Sequence, residues 1–487
     1  MRPAPTRLLL AAVLLLCALP AAAQEAGLGE RLYYSGERAY TSKAYQEALA
    51  TWQQLLQAAP ARPYEPKALL EMARYQAEVA HQPAAALALL DRLEHDYLKS
   101  PVAARALVMR GELLAAQAGS PADLQAAMAE FHRAVDLFPD SPAVARAQEG
   151  LGRAWRAQGR WREALQHFVE AYRLRPEGHV APRALLDAAE TLDLMGDLNG
   201  CLRLLEHLQS AFPGSPLAQE ARWRMALRVR LRILRTPFQR AVPWPDGRQD
   251  WLKTPTLLAT GSSGDLFVYQ NGLDQAFRLA KGTLTPVGPS VSGARALVVG
   301  PGDAPWILTR NSLVKTTGGP IPLGGLDAIT GARLDAWGTL WIADRKTPAL
   351  TLVPLQGAAR TLPAPPAVAL APLPTGGVVL ASDADGSLHF LDAAGQPRLA
   401  VPYGQGLPAP FKRVAALASD PVGDVAALVE GGDYGEGVVV YGPDGTVLRQ
   451  TSLKALGLSG HFTSLALDRE GGVILCDRWH DTLYRLD

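Results

Sequence analysis

From residue 255 onward the chain carries three histidines (His389, His461 and His480), three glutamates (Glu430, Glu436 and Glu470) and two asparagines (Asn271 and Asn311). Imidazole and carboxylate groups bind catalytic metals and move protons, but no two of these histidines stand at metal-ligand spacing. A zinc site would have to gather its ligands from across the fold. The amino-terminal half holds no nucleophile elbow, no His-Glu-x-x-His and no phosphate-cradling glycine loop. Asp344 and Asp477 each stand six residues after an equivalent glycine. They could hold a cation, although an aspartate at the start of a hairpin more often caps its own turn. Ser262-Ser263-Gly264 and Thr317-Gly318-Gly319-Pro320 read as turns. No catalytic residue, metal or cofactor is expected.

Two other sets of residues suit binding. Arg146, Glu149, Arg153 and Arg156 are spaced i, i+3, i+7 and i+10, which puts all four on one face of a helix. Tyr33, Glu37 and Tyr40, then Glu71, Tyr75 and Glu78, hold the corresponding positions in earlier helices. If these faces line a hollow, it runs from aromatic and acidic to basic and fits a protein segment bearing carboxylates. The alternative is an ordinary solvated face. The second set is Arg345, Lys346, Lys412, Arg413, Tyr434, His461, Trp479 and His480, which fall in loops expected on one rim of a repeated β structure. Exposed aromatic and charged loops on a rigid frame suit a protein or glycan partner.

Composition divides the elements that must position these residues. Of 45 glycines, 13 precede residue 250 and 32 follow it, whereas 17 of 20 glutamates precede it. Between the halves lies a proline-rich stretch, 236–254. In the first half, Pro60, Leu98, Pro139, Pro176 and Pro213 close apolar-periodic helices at steps of 38, 41, 37 and 37 residues. Leu151-Gly152, Trp155, Gly159, Ala164, Phe168, Ala171 and Pro176 resemble the tetratricopeptide repeat at each key position. Gly152 and Ala164 permit close helix approach, Gly159 makes the turn, Trp155 and Phe168 fill the interhelix core, and Pro176 ends the second helix. The resemblance implies five antiparallel helix pairs forming a solenoid. A final helix from about Leu217 to Leu234 is expected to cap it, with Arg224, Arg228, Arg232 and Arg235 along its wet face.

In the second half, Gly264, Asp303, Gly338, Gly376, Gly423 and Gly471 precede apolar strands at spacings of 39, 35, 38, 47 and 48 residues. Asp335, Asp420 and Asp468 sit three residues before their glycines, as a D-x-x-G turn requires. Six units in 233 residues average about 39, the size of a four-stranded propeller blade. The closing stretch Leu475 to Asp487 resembles the NHL repeat. Some propellers of that kind are metal-dependent lyases or lactone hydrolases, and the resemblance admits such an enzyme as the alternative reading. The chain ends one outer strand short of a sixth blade, which a linker strand within Arg240–Trp244 could supply.

Arg2 and Arg7, the apolar run Leu8–Leu19 and Ala21-Ala22-Ala23 have the layout of a secretory signal cleaved after Ala23. The run is short of the ~20 residues of a membrane span. With 48 basic against 47 acidic residues, nothing in the net charge draws the chain to nucleic acid. Cys201 and Cys476 read as buried fillers and do not suggest a disulfide framework. The expected fold is therefore multidomain α + all-β. A signal spans 1–23, a tetratricopeptide solenoid with its cap 24–235, a linker 236–254 and a six-bladed NHL-like propeller 255–487. The expected function is a non-enzymatic adaptor, periplasmic or secreted, that binds other proteins of a bacterial cell envelope.

Overall fold

The computed structural model describes residues 27–57, 63–118, 123–245, 252–261, 264–280, 282–316, 320–323, 326, 328–335, 338–354, 359–374, 376–468 and 470–487. The signal segment, Pro60, the Ser262-Ser263 and Thr317-Gly318-Gly319 turns and linker residues 246–251 lie outside them. Two compact units divide the chain. One holds Met1–Gln117, Asp123–Leu151 and Glu170–Val180, the other Ala118–Ala122, Gly152–Val169 and Ala181–Asp487.

Five helix pairs form where the proline steps set them. They are α1 (27–41) with α2 (Tyr45–Gln57), α3 (Glu65–Glu78) with α4 (Pro83–Tyr97), α5 (Ala103–Gln117) with α6 (Leu124–Leu137), α7 (Val144–Ala157) with α8 (Trp161–Leu174), and α9 (Ala181–Leu194) with α10 (Leu198–Ala211). The first, third and fourth pairs share one device, a glycine on the first helix facing an aromatic ring on the second. A Cβ on Gly36 would lie 2.3 Å from Trp52, one on Gly111 2.6 Å from Phe131, and one on Gly152 2.6 Å from Phe168. These rings are almost wholly buried. Trp155 is half-buried at the edge of the Ala164–Phe168–Ala188 cluster, with the Arg160 guanidinium 4.7 Å over its ring. Gly159 and Gly196 supply the positive φ of the tight turns inside their pairs, at 73° and 83°. Gly152→Ala is therefore expected to destabilise the protein by about 1–3 kcal/mol through overpacking against a ring that cannot retreat. Urea unfolding measures it, with Arg153→Ala, a change at the exposed neighbouring position, as the control.

Six antiparallel four-stranded sheets follow. Blade one is Pro255–Thr260, Leu266–Gln270, Gln275–Ala280 and Thr283–Val287. Blade two is Ala296–Gly300, Ala304–Leu308, Ser312–Val314 and Ile321–Pro322. Blade three is Ile329–Leu334, Leu340–Asp344, Ala349–Val353 and Arg360–Pro363. Blade four is Ala369–Pro372, Val378–Ser382, Ser387–Leu391 and Pro397–Pro402. Blade five is Arg413–Ser419, Val425–Glu430, Gly437–Tyr441 and Val447–Ser452. Blade six takes Phe462–Leu467, Val473–Asp477 and Thr482–Leu486 from the end of the chain and its outer strand, Ala241–Pro243, from the linker. The register is Ala241↔Leu486, Val242↔Arg485 and Pro243↔Tyr484. First strands of successive blades are neighbours, and blade six adjoins blade one, so the ring closes.

The second strands read as unbroken apolar runs because each is covered on both faces by adjacent blades. Leu340–Asp344, Val378–Ser382 and Val473–Asp477 are buried at every position. The turns before them are those the glycine spacing marks. Gly264, Gly338, Gly376, Gly423 and Gly471 all have positive φ, and Asp303 takes the same conformation at 56°.

The cap, α11 (Pro216–Arg228) with its π-helical turn Val229–Ile233, departs from the sequence expectation. Arg228 is only 1% exposed, and Arg224 and Arg232 are largely covered, so this is no wet face. Only Arg235 is exposed. Arg228 Nε donates to Asp193 Oδ2 of α9 at 2.8 Å, and Arg232 bridges Asp193 to Asp424 of blade five, the latter at 2.7 Å. Leu227 and Leu231 enter an apolar cluster with Val422, Leu428, Leu465 and Leu467 of blades five and six. Helix and propeller share one core.

Candidate binding surfaces

On the first-helix faces of the amino-terminal unit, the predicted aromatic residues assemble into a cluster. Tyr33 stacks edge-on to Tyr34 at 5.3 Å and tilts against Tyr64 at 5.8 Å, and Lys67 lies 4.8 Å over the Tyr64 ring. Tyr40 meets Tyr45 at 5.3 Å and Trp52 at 5.9 Å, and Arg74 sits 4.8 Å over it. Tyr75 reaches Tyr45 at 5.8 Å. Burial pushes the Tyr33 hydroxyl up to about 12. Burial, then the neighbouring Glu71, raises Glu37.

The charged residues of these faces are engaged with one another. Glu71 is buried and meets Arg74 at 3.0 Å and Arg105 at 3.6 Å, while Arg74 also reaches the exposed Glu78 at 3.2 Å. Arg146 pairs through both Nε and Nη2 with Glu112 of α5. Glu149 is buried on α7, whereas Arg153 is exposed. In the second unit, Arg156 meets Asp187 at 3.0 Å and Glu190 at 3.3 Å. Burial alone would raise Asp187, yet Arg156 and Arg183 hold it below the usual aspartate range. Sequence reasoning missed these acidic partners, although a signal was present. Glu190 and Asp193 stand one 37-residue step after Arg153 and Arg156, acidic where α7 is basic.

On the propeller, Arg345, Lys346, Tyr434, Trp479 and His480 lie in loops joining second to third strands. Lys412, Arg413 and His461 lie where the chain enters a first strand. In a propeller both kinds of loop share a face. Trp479 is 72% exposed, and its ring stacks on His461 at 5.4 Å and 22°. Both are fixed by the buried Asp477. The backbone N–H groups of His461 and Trp479 donate to its Oδ1 at 3.1 and 2.9 Å, and His480 Nδ1 lies 2.6 Å from its Oδ2. Asp344 likewise accepts from the Ala328 and Lys346 N–H groups, both at 2.8 Å. These two aspartates hold their own turns. Among the described residues no group of three or more His, Cys, Asp or Glu could hold a metal ion. Arg345 and Lys346 are exposed. Arg413 lies between Asp383 and Glu430, at 3.8 and 3.9 Å. Exposed Lys412 has its side chain against Gly431. Tyr434 is half-buried, its ring within the cluster of blades four and five, and burial pushes its hydroxyl up to about 12. His389 is held by Asp385 at 2.7 Å. Cys201 and Cys476 are buried, and burial raises their thiols to about 11 and 12.

The first strands surround a cavity of about 50 Å³ on the propeller axis. All six blades line it, with Arg295, Thr330, Arg333, Thr463 and Ser464 as the polar residues among apolar ones, and with no carboxylate among its described lining residues. Small-molecule sites usually enclose about 300–1,000 Å³.

The chain thus joins a series of antiparallel helix pairs to a six-bladed β-propeller. Residues 156–224 match the tetratricopeptide repeat family. No curated protein matches the sequence. Among solved structures the chain is similar to virginiamycin B lyase from Staphylococcus aureus, at 13% identity and TM-score 0.36 over 50% of this chain and 82% of that one. It is similar to a gluconolactonase from Xanthomonas campestris at 12% identity and TM-score 0.38, over 52% and 98%. PilW, a type IV pilus biogenesis factor, is similar at 18% identity and TM-score 0.33, over 39% and 81%. The activities of those proteins do not transfer at these values. Among the described residues no helix is long and apolar enough to cross a membrane.

Proposed function

We propose that the protein is an exported, non-enzymatic adaptor of a bacterial cell envelope that engages one protein through the tyrosine-lined helix faces and another protein or a glycan through the propeller rim. The observation that carries this reading is Trp479, a large aromatic ring left 72% exposed yet held in one orientation by His461 and Asp477. A rigid exposed indole loses little entropy on binding, which is why tryptophan dominates interface energetics. The small, basic axial cavity supports a binding role over lactone or lyase chemistry. Trp479→Ala is expected to weaken rim binding by at least about 2 kcal/mol, or roughly 30-fold. Capture from envelope extracts by wild type and variant, with the fold verified by circular dichroism, measures it. An unchanged set of captured proteins would sink the rim assignment. Stoichiometric metal in the purified protein together with lyase or lactonase turnover would replace the reading with the enzymatic one.

A further inference from the structure

The propeller axis is an unusual place for uncompensated positive charge. Arg333, in the first strand of blade three, lines the axial cavity and donates from Nη1 to the Ala332 carbonyl at 2.8 Å and from Nη2 to the Leu417 carbonyl at 3.3 Å. It thus spans from blade three to blade five. No described carboxylate pairs with it, whereas many arginines of the helical repeats are matched by an acid. Burial with no counter-charge pushes its guanidinium down to about 10. Arg295, exposed and immediately ahead of the first strand of blade two, lines the same cavity. The first strands of blades three, five and six each carry a bulge between Ile329 and Gly331, Val414 and Ala416, and Phe462 and Ser464. The bulge residues Thr330, Ala415 and Thr463 all line the cavity. A bulge residue falls outside the cross-strand residue pairing, which turns it toward the axis here. The Thr330 and Thr463 hydroxyls are already donated to the Ala367 and Thr256 carbonyls of adjoining blades, whereas the Ser464 hydroxyl, which accepts from the Leu258 N–H, and the two guanidinium groups are left to donate.

A low-dielectric cavity lined by cationic and hydroxyl donors, with no acid among the described residues, is complementary to an anion. Its volume of about 50 Å³ has room for roughly three waters. That suits one compact group and excludes a nucleotide or sugar. We propose that the propeller axis is a binding site for one small oxyanion, such as phosphate or sulfate, held by Arg333 with Arg295 at the mouth. This site is separate from the rim and does not depend on the adaptor reading. Bound there, the anion would neutralise Arg333 and tie blade three to blade five across the channel.

The test uses the full mature chain, exchanged into chloride buffer and titrated at constant ionic strength with sodium phosphate, sulfate or acetate. Calorimetry and thermal melting are read in parallel. Wild type is expected to bind one equivalent of at least one oxyanion saturably and to melt higher as it fills. Arg333→Met, which removes the desolvated cation, is expected to melt at or above anion-free wild type and to show no response to the anion. Arg295→Gln, which leaves the axis intact, is expected to fold and to bind about tenfold more weakly. If Arg333→Met fails to fold, the Arg295→Gln comparison decides in its place. The proposal is overturned if none of the three anions binds saturably up to about 10 mM, or if Arg333→Met, or the deciding Arg295→Gln, binds as wild type does.

Discussion

Arg232→Ala is expected to lower the unfolding free energy by about 3–5 kcal/mol, because it removes one member of a buried charge network and strands the others. Arg232 links Asp193 of α9 to Asp424 of blade five, and Asp424 is fully buried with Asp420 close behind it. Burial alone would lower the Arg232 guanidinium, but Asp424 and Asp193 hold it above the usual arginine range. Without it, Asp424 keeps no ion pair among the described residues and Asp193 keeps only Arg228. The cost should depend on pH. Burial raises Asp424 to about 6 even against the pull of Arg232. The folded protein therefore holds this proton more tightly than the unfolded chain does. The stability it contributes is full below about pH 4 and is lost as pH rises through about 6. At pH 5 a protonated Asp424 needs no partner, so the deficit of Arg232→Ala should be smaller there than at pH 8. Denaturant unfolding of wild type and variant at both values measures it. The double variant Arg232→Met, Asp424→Asn should recover most of the loss, since replacing both members leaves no orphaned charge. A deficit that is equal at both pH values and unrelieved in the double variant would show that the network contributes packing alone.

A chain begun at residue 255 is expected not to give a stable monomer, whereas one begun at Ala181 should unfold in a single cooperative transition. The shorter chain lacks Ala241–Pro243 and leaves the Thr482–Leu486 strand as an open edge, which invites pairing with another chain. It also lacks Leu227, Leu231 and Phe238, which are 2%, 1% and 7% exposed in the core shared with blades five and six. At about 1.5–3 kcal/mol per buried side chain, their loss removes roughly 5–9 kcal/mol. That is comparable to the whole stability of a typical domain, about 5–15 kcal/mol. Arg449 adds to this, since its guanidinium lies 3.7 Å over the Phe238 ring and donates to the Gly471 carbonyl at 3.1 Å. Size-exclusion chromatography and thermal melting of the two fragments decide the matter. A monomeric 255–487 fragment that melts with the 181–487 fragment would mean that the ring closes without strand or cap. Limited proteolysis bears on the same question, because a cut within 236–254 should cost the propeller its stability instead of releasing two independent domains.

Features that repeat locally are legible in the order of the amino acids alone. The proline steps place the helix pairs, the Gly36–Trp52 and Gly152–Phe168 spacings put small against large, and the turn glycines mark the blades, since each depends on residues within about 40 positions. The linker strand was legible too, since Ala241–Pro243, which pairs with Leu486–Tyr484, lies within the Arg240–Trp244 stretch. The rim residues could be assigned to their loops, since strand order alone dictates which loops share a face. Which charges face water is set by the folded chain. Arg224, Arg228 and Arg232 at four-residue spacing look the same in sequence whether the helix face is solvated or docked, and the partner that buries Arg232 lies 192 residues away. Arg146 and Arg156 looked available for a ligand until α5 and α9 brought Glu112, Asp187 and Glu190 against them. Arg333 is one more polar residue in a half-buried strand until six first strands converge and put it on an axis where no described carboxylate follows. Helical and strand periodicities are written in neighbouring side chains, whereas desolvation and charge compensation are set by whichever distant surface arrives, and that is a property of the folded chain alone.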